Sequence, residues 1–195
     1  MQVASVLTPE PLVVAEGQSV VAPLAIAGLP DYLDALGGRW QRKSEFHLTA
    51  IAARVLERLE RGRPQVREVV ERLALGRSLG PVAISADIRR ASHPEKPGLH
   101  TLIAMADCPG LSQLYRELSA ELKVELSAPP AHITLYSTDP DDGIGVVDRQ
   151  ELRERAPALS AFEQDTLRRA MRFDEVFGSA VGATGGIATA PPSGD

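Results

Sequence analysis

The chain has one cysteine, Cys108, among 195 residues, so it forms no internal disulfide. That fits a reducing compartment and a buried thiol. It also lacks an excess of positive charge, with 21 Lys and Arg against 26 Asp and Glu and a net charge of −5. Proteins that live on long nucleic acid present broad basic surfaces, so this balance argues against a long duplex as partner. No apolar run is long enough to cross a membrane. Met1 to Val21 has no basic start and carries Glu10 and Glu16. It reads as no signal peptide, and the expectation is a cytoplasmic protein with no membrane partner. A Gly-rich phosphate loop, a zinc-ligand cluster and a Gly-x-Ser-x-Gly elbow are all missing. Asp139-Pro140-Asp141-Asp142-Gly143 lacks the spacing and terminal Glu of an EF-hand loop and reads as a turn. No cofactor and no metal are expected.

What is present suits a globular domain: 44% of residues are hydrophobic and 24% charged. Val13 to Ile26 holds two apolar stretches split by Glu16-Gly17-Gln18, the pattern of a hairpin or an interrupted strand. Asp31 to Leu36 reads as a short helical turn closed by Gly37-Gly38, followed by a polar, basic segment from Arg39 to Glu45. After Thr49 the apolar period lengthens, giving one helix through Val55 and Leu59 to Gly62 and a second through Val66, Val69, Val70 and Leu73 to Gly76. Pro81–Ile88 and Leu99–Ala106 read as an antiparallel strand pair joined by a polar turn from Arg89 to Gly98. Pro109 opens a helix that buries Leu111, Leu114, Tyr115, Leu118 and Leu122. Ile144 to Val147 is expected to return as a strand. Capping-box spacing at Asp148/Glu151 and Ser160/Glu163 starts two helices, the last ending at Gly178. Ser179 to Asp195 offers almost no large apolar side chain and is expected to be a disordered tail. The expected domain therefore covers residues 1–178, with its C-terminal helices within 148–178.

Two stretches carry the chemistry. Strand side chains alternate, so in Ala131-His132-Ile133-Thr134-Leu135-Tyr136 the imidazole and the hydroxyl share one face while Ile133 and Leu135 take the other. Phe46-His47-Leu48-Thr49-Ala50 repeats the arrangement, so strands over 46–50 and 131–137 each present His-apolar-Thr. Two imidazoles across a cleft provide a general acid and a general base near neutral pH. Two hydroxyls beside them can hold the non-bridging oxygens of a phosphodiester. A single triplet of this kind is common and by itself means only a polar strand face. The pair, one in each half of the chain and each followed by a helix, points to an α+β fold with a pseudo-duplicated core.

These two motifs, and the helix–strand–strand–helix order between them, resemble the two-histidine (2H) phosphoesterase superfamily, which includes RNA 2′-5′ ligase-like proteins and cyclic phosphodiesterases. The resemblance covers Val13 to Val147. It implies two lobes with pseudo-duplicated antiparallel sheets, helices outside and a central cleft. It implies His47 and His132 as the catalytic acid–base pair, in either order, and Thr49 and Thr134 as phosphate ligands. The implied activity is metal-independent hydrolysis of a cyclic or 2′-5′ phosphodiester of a small nucleotide or an RNA end. Nearby, Tyr136 alternates onto the His132 face and is a candidate for stacking on a base. Arg42 and Lys43 are candidates for the cleft mouth, against the plainer reading of a solvated basic turn. His93, in a polar turn, and His100, at a strand start, lack a Thr partner and read as structural or exposed. Two other classes stay open: a nucleotide- or RNA-binding module without turnover, and an interaction protein in which the motif pair is accidental.

Overall fold

A computed structural model describes residues 3–15 and 18–178, and the tail from Ser179 lies outside them. The elements run β1 (Val3–Leu7), β2 (Val13–Val14), β3 (Val20–Leu24), β4 (Tyr32–Ala35), β5 (Gly38–Arg42), β6 (Phe46–Ile51), α1 (Ala53–Glu60) and α2 (Val66–Ala74). They continue with β7 (Val82–Ser92), β8 (His100–Asp107), α3 (Pro109–Leu122), β9 (His132–Ser137), α4 (Arg149–Arg155), α5 (Ala161–Ala170) and α6 (Phe173–Gly178). The class is α+β. The nine strands of the described residues join one open antiparallel sheet in the order β1-β7-β8-β9-β6-β3-β2, with β5 pairing to β9 and β4 to β5.

The main core lies on one face of this sheet. It takes Leu48 and Ala50 from β6, Leu102 and Ala104 from β8, and Ile133 and Leu135 from β9. Helices α1, α2, α3, α5 and α6 cover it with Val55, Val69, Leu114, Leu167 and Phe173 among others. The five apolar positions expected of α3 are all buried. Pro109 sits at the start of that helix, where its missing N–H costs nothing. Gly110 is required by contact: a Cβ there would lie 1.9 Å from the Leu79 carbonyl oxygen.

A smaller cluster occupies the opposite face, where Ala91, Leu99, Ile103 and Met105 meet Ile144, Val146 and Ala156. Cα partners in adjacent strands share a face. His132 is partnered by Met105 and Thr134 by Ile103, so both motif side chains of β9 belong to this second face.

Several expectations are corrected. The stretch expected as a helical turn at Asp31–Leu36 is strand β4, and the basic segment after it is β5. Ala35 pairs with Gly38, and the two residues between them, Leu36 and Gly37, both have positive φ (52° and 73°). That is a type I′ hairpin turn, built here with a leucine where Asn, Asp or Gly usually stands. β7 runs on to Ser92 through residues read as a turn. Ile144–Val147 is no strand: β9 is already flanked by β8 on one side and by β5 and β6 on the other. With no free edge at β9, this segment instead lays Ile144 and Val146 over the second face. Both expected helix starts are present, with Asp148 and Ser160 side chains accepting from the Glu151 and Glu163 amides. The chain then forms three helices up to Gly178 where two were expected.

Candidate active site

β6 buries Phe46, Leu48 and Ala50 and leaves His47 and Thr49 half-buried on the second face. β6 meets β9 through the Cα pair Leu48–Ile133, the middle residues of the two triplets. Antiparallel pairing carried one residue either way sets His47 opposite Thr134 and Thr49 opposite His132. All four side chains line one cleft of about 460 Å³. The four motif residues are thus brought together.

The Gly143–Val147 segment forms one wall of the cleft. It is tied down at several points. The Gly145 carbonyl accepts from Arg54 (3.1 Å), and the Val147 amide donates to Glu151 (3.1 Å). Upstream, Lys96 pairs with Asp142 (2.5 Å), and Lys43 Nζ donates to the Pro140 and Asp142 carbonyls.

His132 is 6% exposed, and its Nδ1–H donates to the Pro130 carbonyl at 2.8 Å. A carbonyl only accepts, so neutral His132 carries its proton on Nδ1 and presents Nε2 as an acceptor. Burial holds its pKa below the ordinary imidazole value; the Pro130 carbonyl raises it in part, and the charge of nearby His47 lowers it further. Burial also lowers the pKa of His47, with Glu45 acting to raise it and Lys43 to lower it. His132 therefore feels the charge of His47, and only His47 has a carboxylate favouring its charged form.

The remaining sequence candidates have other placements. Tyr136 is fully buried in the main core, and its hydroxyl donates to the Pro30 carbonyl at 2.9 Å. Alternation fails here because the β8–β9 pairing slips between Leu102 and Ile103, leaving Leu135 as an extra residue that turns Tyr136 to the opposite side from Thr134. Burial pushes its phenol pKa well up. Arg42 pairs with Asp31 at 2.6 Å. Arg42 and Lys43 line a neighbouring depression of about 1070 Å³ that shares His47 with the cleft, and neither lines the cleft itself. His100 is held by Ser92 at 2.9 Å, away from the cleft.

The sequence reading missed two charged cleft residues, Arg54 and Arg155, and read a third, His93, as structural or exposed. Arg54 stands in the first turn of α1, directly after the first motif strand, and Arg155 ends α4. Position was the available signal for Arg54, since the residues just beyond a motif strand border its face. Arg54 holds Glu151 with two bonds, of 2.7 and 2.5 Å, and Arg155 approaches the same carboxylate at 3.4 Å. His93 also lines the cleft. Its Nδ1 accepts from the Glu95 and Lys96 amides, so its proton sits on Nε2, a donor.

No family model, curated protein or solved structure matches this chain. Its function has to be argued from the site. Among the described residues no helix is long and apolar enough to cross a membrane.

Proposed function

We propose that this chain is a metal-independent phosphodiesterase of the two-histidine type, acting on a cyclic or 2′-5′ phosphodiester of a nucleotide or an RNA end. The observation that carries the reading is the Leu48–Ile133 pair. A local dyad through that pair maps His47 onto His132 and Thr49 onto Thr134. The same dyad supports the reading of a two-lobed, pseudo-duplicated core, with β6 and β9 as corresponding strands.

In this mechanism His132 is the base. Its Nε2 takes a proton from a water whose oxygen attacks phosphorus. The P–O bond to the leaving oxygen breaks, and His47 gives that oxygen its proton. Thr49 and Thr134 donate to the non-bridging oxygens as charge builds on them. The order of roles follows from the environments: buried His132 is the poorer place for a charge, while Glu45 favours an imidazolium at His47. The net charge of −5 favours a small nucleotide or an RNA end over a long duplex.

The test is hydrolysis of 2′,3′-cyclic nucleotides and 2′-5′ oligonucleotides in excess chelator. Activity is expected to survive chelation and to fall about 10²–10⁴-fold in His47→Ala and in His132→Ala separately. Full activity in either variant sinks the paired mechanism. Binding without turnover of any of these compounds would instead indicate a binding module with the same cleft.

A further inference from the structure

We infer that the cleft reads a second anionic group on its substrate, a phosphomonoester carried beyond the scissile phosphodiester, through Arg155 positioned by Glu151 and Arg54; this rests on the phosphodiesterase reading above.

The charge balance of the cleft motivates it. A phosphodiester carries one negative charge, and a single imidazolium with two threonine hydroxyls already matches that. Among the described residues the cleft is lined by two guanidinium groups, Arg54 and Arg155, which share one carboxylate, that of Glu151 outside the lining; the three together carry a surplus of one positive charge, and the Nε2–H of His93 adds a donor. A surplus cation in a part-enclosed site attracts a more highly charged ligand.

The two arginines differ in how much they have left to give. Arg54 is spent on both oxygens of Glu151 and on the Gly145 carbonyl. Among the described residues Arg155 makes one ion pair, at 3.4 Å, although a guanidinium has five N–H donors. Its side chain is 27% exposed, and that of Glu151 is 16% exposed. Arg155 is therefore held by a well-anchored carboxylate, with most of its fork open among the described residues. A planar fork suits two oxygens of a phosphate, and lysine does not reproduce that geometry.

The lining also says what the cleft does not read. No Phe, Tyr or Trp is among its described residues, so it has none of the platforms on which proteins stack nucleobases. A volume of about 460 Å³ suits a ligand of mononucleotide size. The substrate class that fits is a small phosphodiester bearing a further phosphate, chosen by charge and with little regard for the base.

The experiment compares adenosine 2′,3′-cyclic phosphate with its 5′-phosphorylated form. Hydrolysis is followed in wild type, and equilibrium binding by calorimetry in His132→Gln, with and without Arg155→Gln. The 5′-phosphorylated compound is expected to bind about tenfold tighter, with that preference falling to near one in Arg155→Gln and only partly restored in Arg155→Lys. The preference should shrink as salt is raised, a readout in His132→Gln alone that stands even if Arg155→Gln does not fold. Equal binding of the two compounds, with wild type hydrolysing both, overturns the second-anion site and leaves the phosphodiesterase reading intact. A tenfold preference lost with Arg155, but no hydrolysis of either compound, upholds the anion site and removes the catalytic reading. Failure to bind either compound removes both.

Discussion

Leu48 and Ile133 pair across β6 and β9, and theirs is the single Cα pairing that joins the two motif strands. Both are fully buried. Because each is the middle of a His-apolar-Thr triplet, this one pairing sets His47 beside Thr134 and His132 beside Thr49 on the reverse face. A shift by one residue on either strand would send that strand's imidazole and hydroxyl into the main core.

The dyad between these residues makes the two threonines equivalent to a first approximation. Thr49→Val and Thr134→Val are each expected to lower kcat about 10²-fold or more, the usual effect of removing one donor to a developing oxyanion. Both variants keep the shape of the side chain, so melting temperatures should change little. A loss confined to one of them contradicts symmetric phosphate binding.

Tyr136 behaves differently. Its hydroxyl serves the Pro30 carbonyl inside the core. Tyr136→Phe should destabilise the fold by about 0.5–1.5 kcal/mol, and slightly more if the carbonyl is left bare. Hydrolysis per folded molecule should be unchanged. A rise in KM with unaltered stability would return Tyr136 to the substrate contacts.

Gly110 marks where α3 presses on the chain before β7. The Cβ of an alanine there would stand 1.9 Å from a backbone oxygen, which no side-chain rotation relieves. Gly110→Ala is expected to cost about 1–3 kcal/mol or more, read as a lowered midpoint in urea. An unchanged midpoint would mean that α3 docks on Leu79 less closely than described.

Much of the site was legible because strand alternation is local. Period two alone placed His47 with Thr49 and His132 with Thr134, while the meeting of the two pairs in one cleft comes from the Leu48–Ile133 pairing. What was not legible depends on pairing between distant residues. Tyr136 leaves the His132 face because of a slip against β8, and no residue in β9 announces it. The β4–β5 hairpin hid behind Leu36, which takes a positive φ that leucine seldom adopts, so Gly37-Gly38 resembled a helix end. Ile144–Val147 alternates like a strand, but the edges of β9 are occupied before it arrives. Arg54 and Arg155 lie far apart in sequence and meet only at Glu151, so their shared carboxylate becomes visible once α4 is docked.

The two imidazoles make the protein sensitive to mild acid. Both have pKa values held below about 6.5, chiefly by burial. The unfolded chain therefore binds more protons than the native one between those lowered values and 6.5, so stability rises with pH through that window. It is full above 6.5, falls as pH drops toward the native values, and stays low beneath them. His132→Asn should flatten this dependence, measured as urea midpoints across pH 5–7.5. Activity should follow the same groups. The bell in kcat/KM reports the free protein and should sit on the acid side of 6.5, whereas bound phosphate favours the imidazolium and should move the kcat bell to higher pH. A kcat/KM bell centred above 6.5 would contradict desolvated histidines at this cleft.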